Sequence, residues 1–96
     1  MFESSAMLNE PALASLKGLG PKSQAMLGNA GIMSVQQLRK LGSVRAFVMV
    51  KRSGLQPSLN LLWALEGALS GEHWQQVARE HRTSLLLAVE DHERDA

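Results

Sequence analysis

The chain has 96 residues, 45% of them hydrophobic and mostly Leu, Ala, Val and Met, which favour one small helical domain over two domains or a sheet. Ten basic and nine acidic residues give a net charge of +1, and the lack of cysteine excludes disulfides and thiolate metal sites. No apolar run reaches the roughly 20 residues of a membrane helix and no signal sequence is present, so we expect a cytoplasmic protein without a membrane partner.

The first predicted elements flank a glycine-rich turn. Residues 1–8 show no periodicity and are expected to be flexible. A short helix is predicted to begin near Asn9 and to end before Gly18–Gly20, where the chain turns. Pro21 suits the first position of a second helix because its φ is already close to the helical value.

Local capping signals predict where the next helices end and begin. Gly31 can adopt the left-handed conformation that ends a helix, and Ile32 can then contact Leu27 one turn back, as in a Schellman motif. Ser34 followed three residues later by Gln37 is typical of a capping box and predicts a new helix. That helix is predicted to stop at Gly42.

The segment SVRAFVMVKRSG predicts a further helix, which begins after Ser43 and ends at Gly54. Ser58 is then expected to cap SLNLLWALEGALSG, which is apolar almost all round and centred on Trp63. A helix of that kind is predicted to be the buried centre of the domain.

The last segment predicts one short helix from about His73 and a longer one to about His92. We therefore expect a single all-α domain over residues 9–92, a compact bundle of about five helices with a frayed end at residues 93–96.

Charge is distributed unevenly along the chain. Residues 11–65 contain seven basic residues and no acidic one, whereas residues 66–96 contain seven acidic and three basic ones. The seven basic residues of the first segment are Lys17, Lys22, Arg39, Lys40, Arg45, Lys51 and Arg52. Such asymmetry is typical of a surface that faces an anion, but it also arises when an acidic half packs against a basic half.

The turn LKGLGPKS at residues 16–23 partly resembles phosphate-binding loops of nucleotide enzymes. A P-loop has Gly directly before its Lys, where this chain has Pro21, and a dinucleotide loop has a third Gly, where this chain has Ser23. Both loops also follow a strand, whereas the flanking segments here are helical. Nucleotide-binding sites of these two kinds are therefore excluded.

The same turn fits a helix-hairpin-helix motif, with Leu19 filling the gap between two helices. Its glycines would bring backbone N–H groups to the surface beside the positive end of the second helix, where they can bind a phosphate without reading bases. The predicted nucleic-acid-binding residues are Lys17, Gly18, Gly20, Lys22, Arg39 and Lys40. The alternative is a hairpin that only packs two helices, which Gln24 favours because the motif usually has a small residue there.

Other candidate groups predict no further chemistry. No two of the three histidines have the i, i+4 spacing that places two metal ligands on one helical face, so we expect no metal and no cofactor. No Ser, Asp or Glu stands with a His in a catalytic order, and we expect no enzymatic activity. Trp74, at the edge of the acidic half, is a candidate for a protein interaction face.

Several segments resemble, in order, the C-terminal domain of the TfoX/Sxy family of DNA transformation competence regulators. They are LKGLGPKSQAMLGNAGI, SVQQLRKLG and PSLNLLWALEGALSGEHWQQVAREHRTSLL, which together cover roughly residues 12–90. The resemblance implies an all-helical domain with a helix-hairpin-helix-like start, associated with positive control of competence genes alongside an activator of the cyclic-AMP receptor type. Full-length members also carry an N-terminal domain of about the same size, which has no counterpart in these residues.

Two functional hypotheses follow. The first is a non-enzymatic accessory factor in transcription or DNA handling that binds the nucleic-acid backbone without sequence preference. The second is an interaction module that docks on a transcription factor or self-associates without contacting DNA. The oligomeric state is left open by both.

Overall fold

A computed structural model describes Leu13, Leu16 and residues 18–94. This part of the chain contains five α-helices and no strand: α1 (Pro21–Asn29), α2 (Val35–Arg52), α3 (Leu59–Ser70), α4 (Trp74–Glu80) and α5 (Arg82–Arg94). The expected all-α bundle of about five helices is confirmed. The predicted flexible N-terminus, and the helix predicted from Asn9 except for Leu13 and Leu16, lie outside the described residues.

Helix α1 ends in the predicted Schellman motif. Gly31 has a φ of 88° and donates its N–H to the Gly28 carbonyl, while Ile32 donates to the Leu27 carbonyl at 2.9 Å. Ile32 and Leu27 are both fully buried in the core. This ending satisfies carbonyls that the last turn of a helix otherwise leaves without partners.

Helix α2 is bent at Gly42, whose φ of 82° and ψ of 166° are not helical. Helix α2 therefore consists of two helical segments that meet at a kink at Gly42, where the sequence predicted one helix to end and the next to begin. At its start, the Ser34 hydroxyl accepts from the Gln37 amide at 3.2 Å, which is half of the predicted capping box. The Gln37 side chain accepts from the Met33 amide instead of that of Ser34.

Helix α3 forms the predicted buried centre of the bundle. Its buried residues are Leu61, Leu62, Trp63, Leu65 and Gly67, and both α2 and α4 pack against it. Ser58 occupies the N-cap position, but its side chain makes no capping hydrogen bond. The core therefore rests on apolar packing around α3, because the chain has no cysteine to cross-link it.

Helix α5 closes the bundle against α2. It continues to Arg94, two residues past the expected end of the domain at residue 92, and residues 95–96 lie outside the described part. Within the described residues, no helix combines the length and the hydropathy that crossing a membrane requires.

Candidate nucleic-acid interface

The glycine-rich turn directs Leu19 into the core. Leu19 is 3% exposed, and its amide donates to the Leu16 carbonyl at 3.1 Å, so the chain reverses tightly before α1. Gly18 has a φ of 92°, a conformation that side chains disfavour. Leu19 thus occupies the buried position that the hairpin motif predicts, but the helix that should precede it lies largely outside the described residues.

The start of α1 leaves two backbone donors without acceptors in the helix. The first intrahelical bond runs from the Gln24 amide to the Gly20 carbonyl at 3.0 Å, so the amides of Lys22 and Ser23 precede the hydrogen-bonded ladder. Gly20 is the N-cap residue and has no side chain that could accept from them. Because the first turn of α1 also lacks an acidic residue, its positive dipole end has no compensating charge of its own.

Gly20 has no steric reason, within the described molecule, to be glycine. Its φ of −98° is open to any residue, and a Cβ built on it would meet no atom within 4 Å. Gly18 likewise has open space around it, but its positive φ explains the residue. The bare backbone at residue 20 is therefore free for approach from outside the molecule.

Gln24, which occupies the position where a small residue was expected, is half-buried. It lines a shallow groove of about 320 Å³ together with Leu13, Pro21 and Ala25. Gln24 therefore lies on the face of α1 that is close to Leu13.

The predicted basic residues lie on two separate elements. Lys22 is exposed in the first turn of α1, next to Gly18 and Gly20, whereas Arg39 and Lys40 are exposed in the last turn of α2 before its bend. No ion pair links any of these three side chains to another described residue. Lys17 lies outside the described part of the chain. The structure thus brings Gly18, Gly20 and Lys22 together and leaves Arg39 and Lys40 as a second basic patch.

Lys51 and Arg52, the last two basic residues of segment 11–65, are exposed but contact α5. Lys51 Nζ lies 3.1 Å from Glu93 Oε1, and the Arg52 guanidinium donates to the His92 carbonyl at 3.1 Å. That carbonyl belongs to the last turn of α5, where helical acceptors are unsatisfied. An acidic half that packs against a basic half was the alternative to nucleic-acid binding. Lys51 and Arg52, from residues 11–65, make such contacts with residues 66–96.

A second surface surrounds Trp74, at the start of α4. Trp74 is 38% exposed, and its indole stacks on the His73 imidazole, with ring centroids 5.9 Å apart. Both residues line a cleft of about 280 Å³, whose other lining residues include Gly18, Gly67 and Gly71. Trp74 is therefore exposed as the sequence suggested.

Sequence spacing gave no sign of a cluster formed by Glu72, Glu80 and His81. Donor atoms of the three side chains lie within 4.8 Å of one another. The loop before α4 folds back along that helix and brings Glu72 to a residue nine positions away. The i, i+4 rule for metal ligands detects pairs on one helical face and cannot detect such an approach.

Comparison with known proteins identifies the family of this chain. Residues 9–89 match the family described as the TfoX C-terminal domain. The chain is 32% identical over 79 residues to the DNA transformation protein TfoX of Haemophilus influenzae, an alignment that covers 82% of this chain and 36% of that relative. No solved structure gives a significant match. The family match extends over most of the sequence, as the resemblance predicted. This chain therefore belongs to the TfoX C-terminal domain family.

Proposed function

We propose that this domain is a non-enzymatic accessory module that binds the phosphate backbone of nucleic acid in the cytoplasm. Its family relative is named for DNA transformation, and we infer a role of the same type, in the control of competence genes or in DNA handling. The chain corresponds to about a third of that relative's length, so the activity of the whole relative enters here as part of the proposal.

The start of α1 is the single observation that carries the proposal. Two amides that precede the hydrogen-bonded ladder, an uncompensated helix dipole and exposed Lys22 converge at Gly20, whose lack of a side chain nothing in the described fold requires. A phosphate oxygen can accept from both amides while Lys22 supplies a positive charge beside it. Such a contact reads no base, so binding is independent of sequence.

Binding of this kind must depend steeply on salt. Each phosphate neutralised by a basic side chain releases counterions, with a slope of about −0.9 per contact on duplex DNA in a plot of log affinity against log salt. Lys22 with the patch of Arg39 and Lys40 therefore predicts a slope of about −3 from the described residues.

The substitution Gly20→Ser separates a phosphate site from a purely structural turn. Serine is a better N-cap than glycine, and the introduced hydroxyl would accept from the same amides, so we expect the free energy of unfolding to rise by a few tenths of a kcal/mol. The same bond competes with phosphate, so we expect weaker retention on DNA. Urea denaturation and a DNA-binding titration at low salt measure both effects. Unchanged DNA affinity in the more stable variant would exclude these amides from the interface.

Charge reversal at Lys22 tests the side-chain contribution. Lys22→Glu should reduce the salt slope by about 1 and weaken binding to all sequences alike. It should not destabilise the fold, because an acidic residue in the first turn complements the helix dipole. Arg79→Glu is the matched control: Arg79 is exposed on α4, and the variant carries the same net charge. Equal losses in both variants would show that only total charge matters.

A second candidate function, docking on a transcription factor or a second copy of the chain, rests on Trp74. A tryptophan that is more than one-third exposed beside a cleft is typical of an interaction surface. Under this hypothesis Trp74→Ala abolishes association in sedimentation or capture experiments with a candidate activator, and Lys22→Glu does not. Leu87→Ala is the control, because Leu87 is 55% exposed on a different helix.

A further inference from the structure

We propose that Glu72, Glu80 and His81 form a binding site for a divalent transition-metal ion, with Zn²⁺ as the preferred occupant. None of these three residues is among those proposed to bind phosphate, although Glu72 lines the same cleft as Gly18. The site lies where the loop before α4 meets the junction of α4 and α5.

The geometry of the donors carries the proposal. His81 Nε2 lies 3.1 Å from Glu72 Oε1 and 3.4 Å from Glu72 Oε2, and the donor atoms of all three residues lie within 4.8 Å of one another. Ligands at about 2.1 Å from a tetrahedral Zn²⁺ are about 3.4 Å apart. Glu72 and His81 already have that spacing, and rotation of the exposed Glu80 side chain completes the set.

The backbone holds two of the three ligands in place. The Glu72 carbonyl is packed against Gly67, where an added Cβ would lie only 2.6 Å away, and the Glu72 amide donates to the Ser70 hydroxyl. The His81 amide donates to the Val77 carbonyl at 2.8 Å, and its carbonyl accepts from the Leu85 amide. Little ordering of the main chain is then required when the ion binds.

Charge in the cluster also favours a cation. Two carboxylates converge there, and neither forms an ion pair with a lysine or arginine of the described residues. His81 pairs with Glu72, and its imidazole contributes no charge when neutral. A divalent ion would compensate both carboxylates and convert the imidazole from a hydrogen-bond partner into a ligand.

The donor set selects the kind of metal. One imidazole with two carboxylates suits Zn²⁺, Co²⁺ or Mn²⁺ better than Mg²⁺, which binds oxygen ligands and retains several waters. With three protein ligands, the fourth position of a tetrahedral Zn²⁺ belongs to water. The ion would tie the α3–α4 loop to the start of α5.

Calorimetric titration of the full 96-residue chain, without an affinity tag, with Zn²⁺ and separately with Mg²⁺ tests the proposal. We expect one Zn²⁺ per chain, no saturable Mg²⁺ binding, and a melting temperature that rises with Zn²⁺. His81→Gln and Glu80→Gln should each weaken Zn²⁺ binding at least 10-fold and remove the thermal shift. His92→Gln and Glu90→Gln, on α5 outside the cluster, should leave both unchanged.

Several results would overturn the proposal. The first is the absence of saturable Zn²⁺ binding in the wild-type chain, and the second is equal binding by the wild type and Glu80→Gln. Glu80 is exposed, so its substitution tests ligation without loss of the fold. Binding that His92→Gln weakens as much as His81→Gln would place the ion elsewhere.

Discussion

Gly67, in the middle of α3, is the glycine at which an added methyl group should lower the stability of the fold by steric overlap. A Cβ there would lie 2.6 Å from the Glu72 carbonyl oxygen and 3.3 Å from the Trp74 amide nitrogen. Both are backbone atoms, so relief requires a shift of the α3–α4 connection rather than a side-chain rotation. We expect Gly67→Ala to lower the free energy of unfolding by about 1–3 kcal/mol, although alanine is intrinsically the better helix former.

Gly28→Ala in α1 is the control for this prediction. Its added Cβ would meet only the Met33 sulfur, at an ordinary 3.7 Å, and alanine favours the helix by up to about 1 kcal/mol. We therefore expect unchanged or higher stability in urea denaturation. Similar losses in the two variants would show that close backbone approach is not what requires glycine at residue 67.

Ser43 is a second residue whose role is set by a distant partner. It is 5% exposed, and its hydroxyl donates to Glu66 Oε1 at 2.7 Å, which links α2 to α3. Removing the hydroxyl leaves a partly buried carboxylate without this donor, so Ser43→Ala should lower the free energy of unfolding by about 1–2 kcal/mol. A double-mutant cycle with Glu66→Ala should give a coupling of at least about 0.5 kcal/mol. Additive losses would contradict the link.

At the level of elements, the bend of α2 depends on the conformation of Gly42 rather than on space. Its φ and ψ lie in a region that is almost exclusive to glycine, and a Cβ there would meet no atom within 4 Å. Gly42→Ala should therefore cost about 1–3 kcal/mol of stability. D-alanine, introduced by chemical synthesis, favours positive φ and should restore most of that loss. Equal losses with L- and D-alanine would show that the site excludes any side chain.

Elements whose ends depend on neighbours in sequence could be predicted. The Schellman ending at Gly31 and the Ser34 cap involve bonds across three to five residues, so their residue pattern is enough. Bonds between elements could not be predicted in this way. Ser43 contacts Glu66 only because α2 packs against α3, and Glu72 contacts His81 only because the loop before α4 folds back along that helix.

The candidate interface shows the same division. The sequence predicted the bare turn, the buried Leu19 and the exposed Lys22, which are local properties. It could not show that nothing in the described fold requires glycine at residue 20, because that is a statement about surrounding space. Nor could it separate outward-facing basic residues from those that contact another helix.

For the whole molecule, the seven basic residues of the first segment divide by role. Lys51 and Arg52 contact the last turn of α5, which connects the two charge halves. The others that the structure describes are exposed and form no ion pair within the described residues: Lys22, Arg39, Lys40 and Arg45. The uneven distribution of charge along the chain thus has two parts. Lys51 and Arg52 contact α5 at the end of α2, whereas the other four described basic residues of segment 11–65 are exposed without ion pairs in the described part.

The matched reversals Lys51→Glu and Lys40→Glu test this division, because both lie on α2 and change the net charge equally. Lys51→Glu places an anion against Glu93 and at the negative end of α2, so it should cost about 1 kcal/mol of stability, less at high salt. Lys40→Glu should change stability by no more than about 0.5 kcal/mol and should weaken DNA retention at low salt. Denaturant titration and DNA binding across a salt series measure both quantities for each variant. If Lys51→Glu weakened retention as much as Lys40→Glu, the basic half would act as one diffuse field, and a localised interface around α1 and the bend of α2 would be wrong.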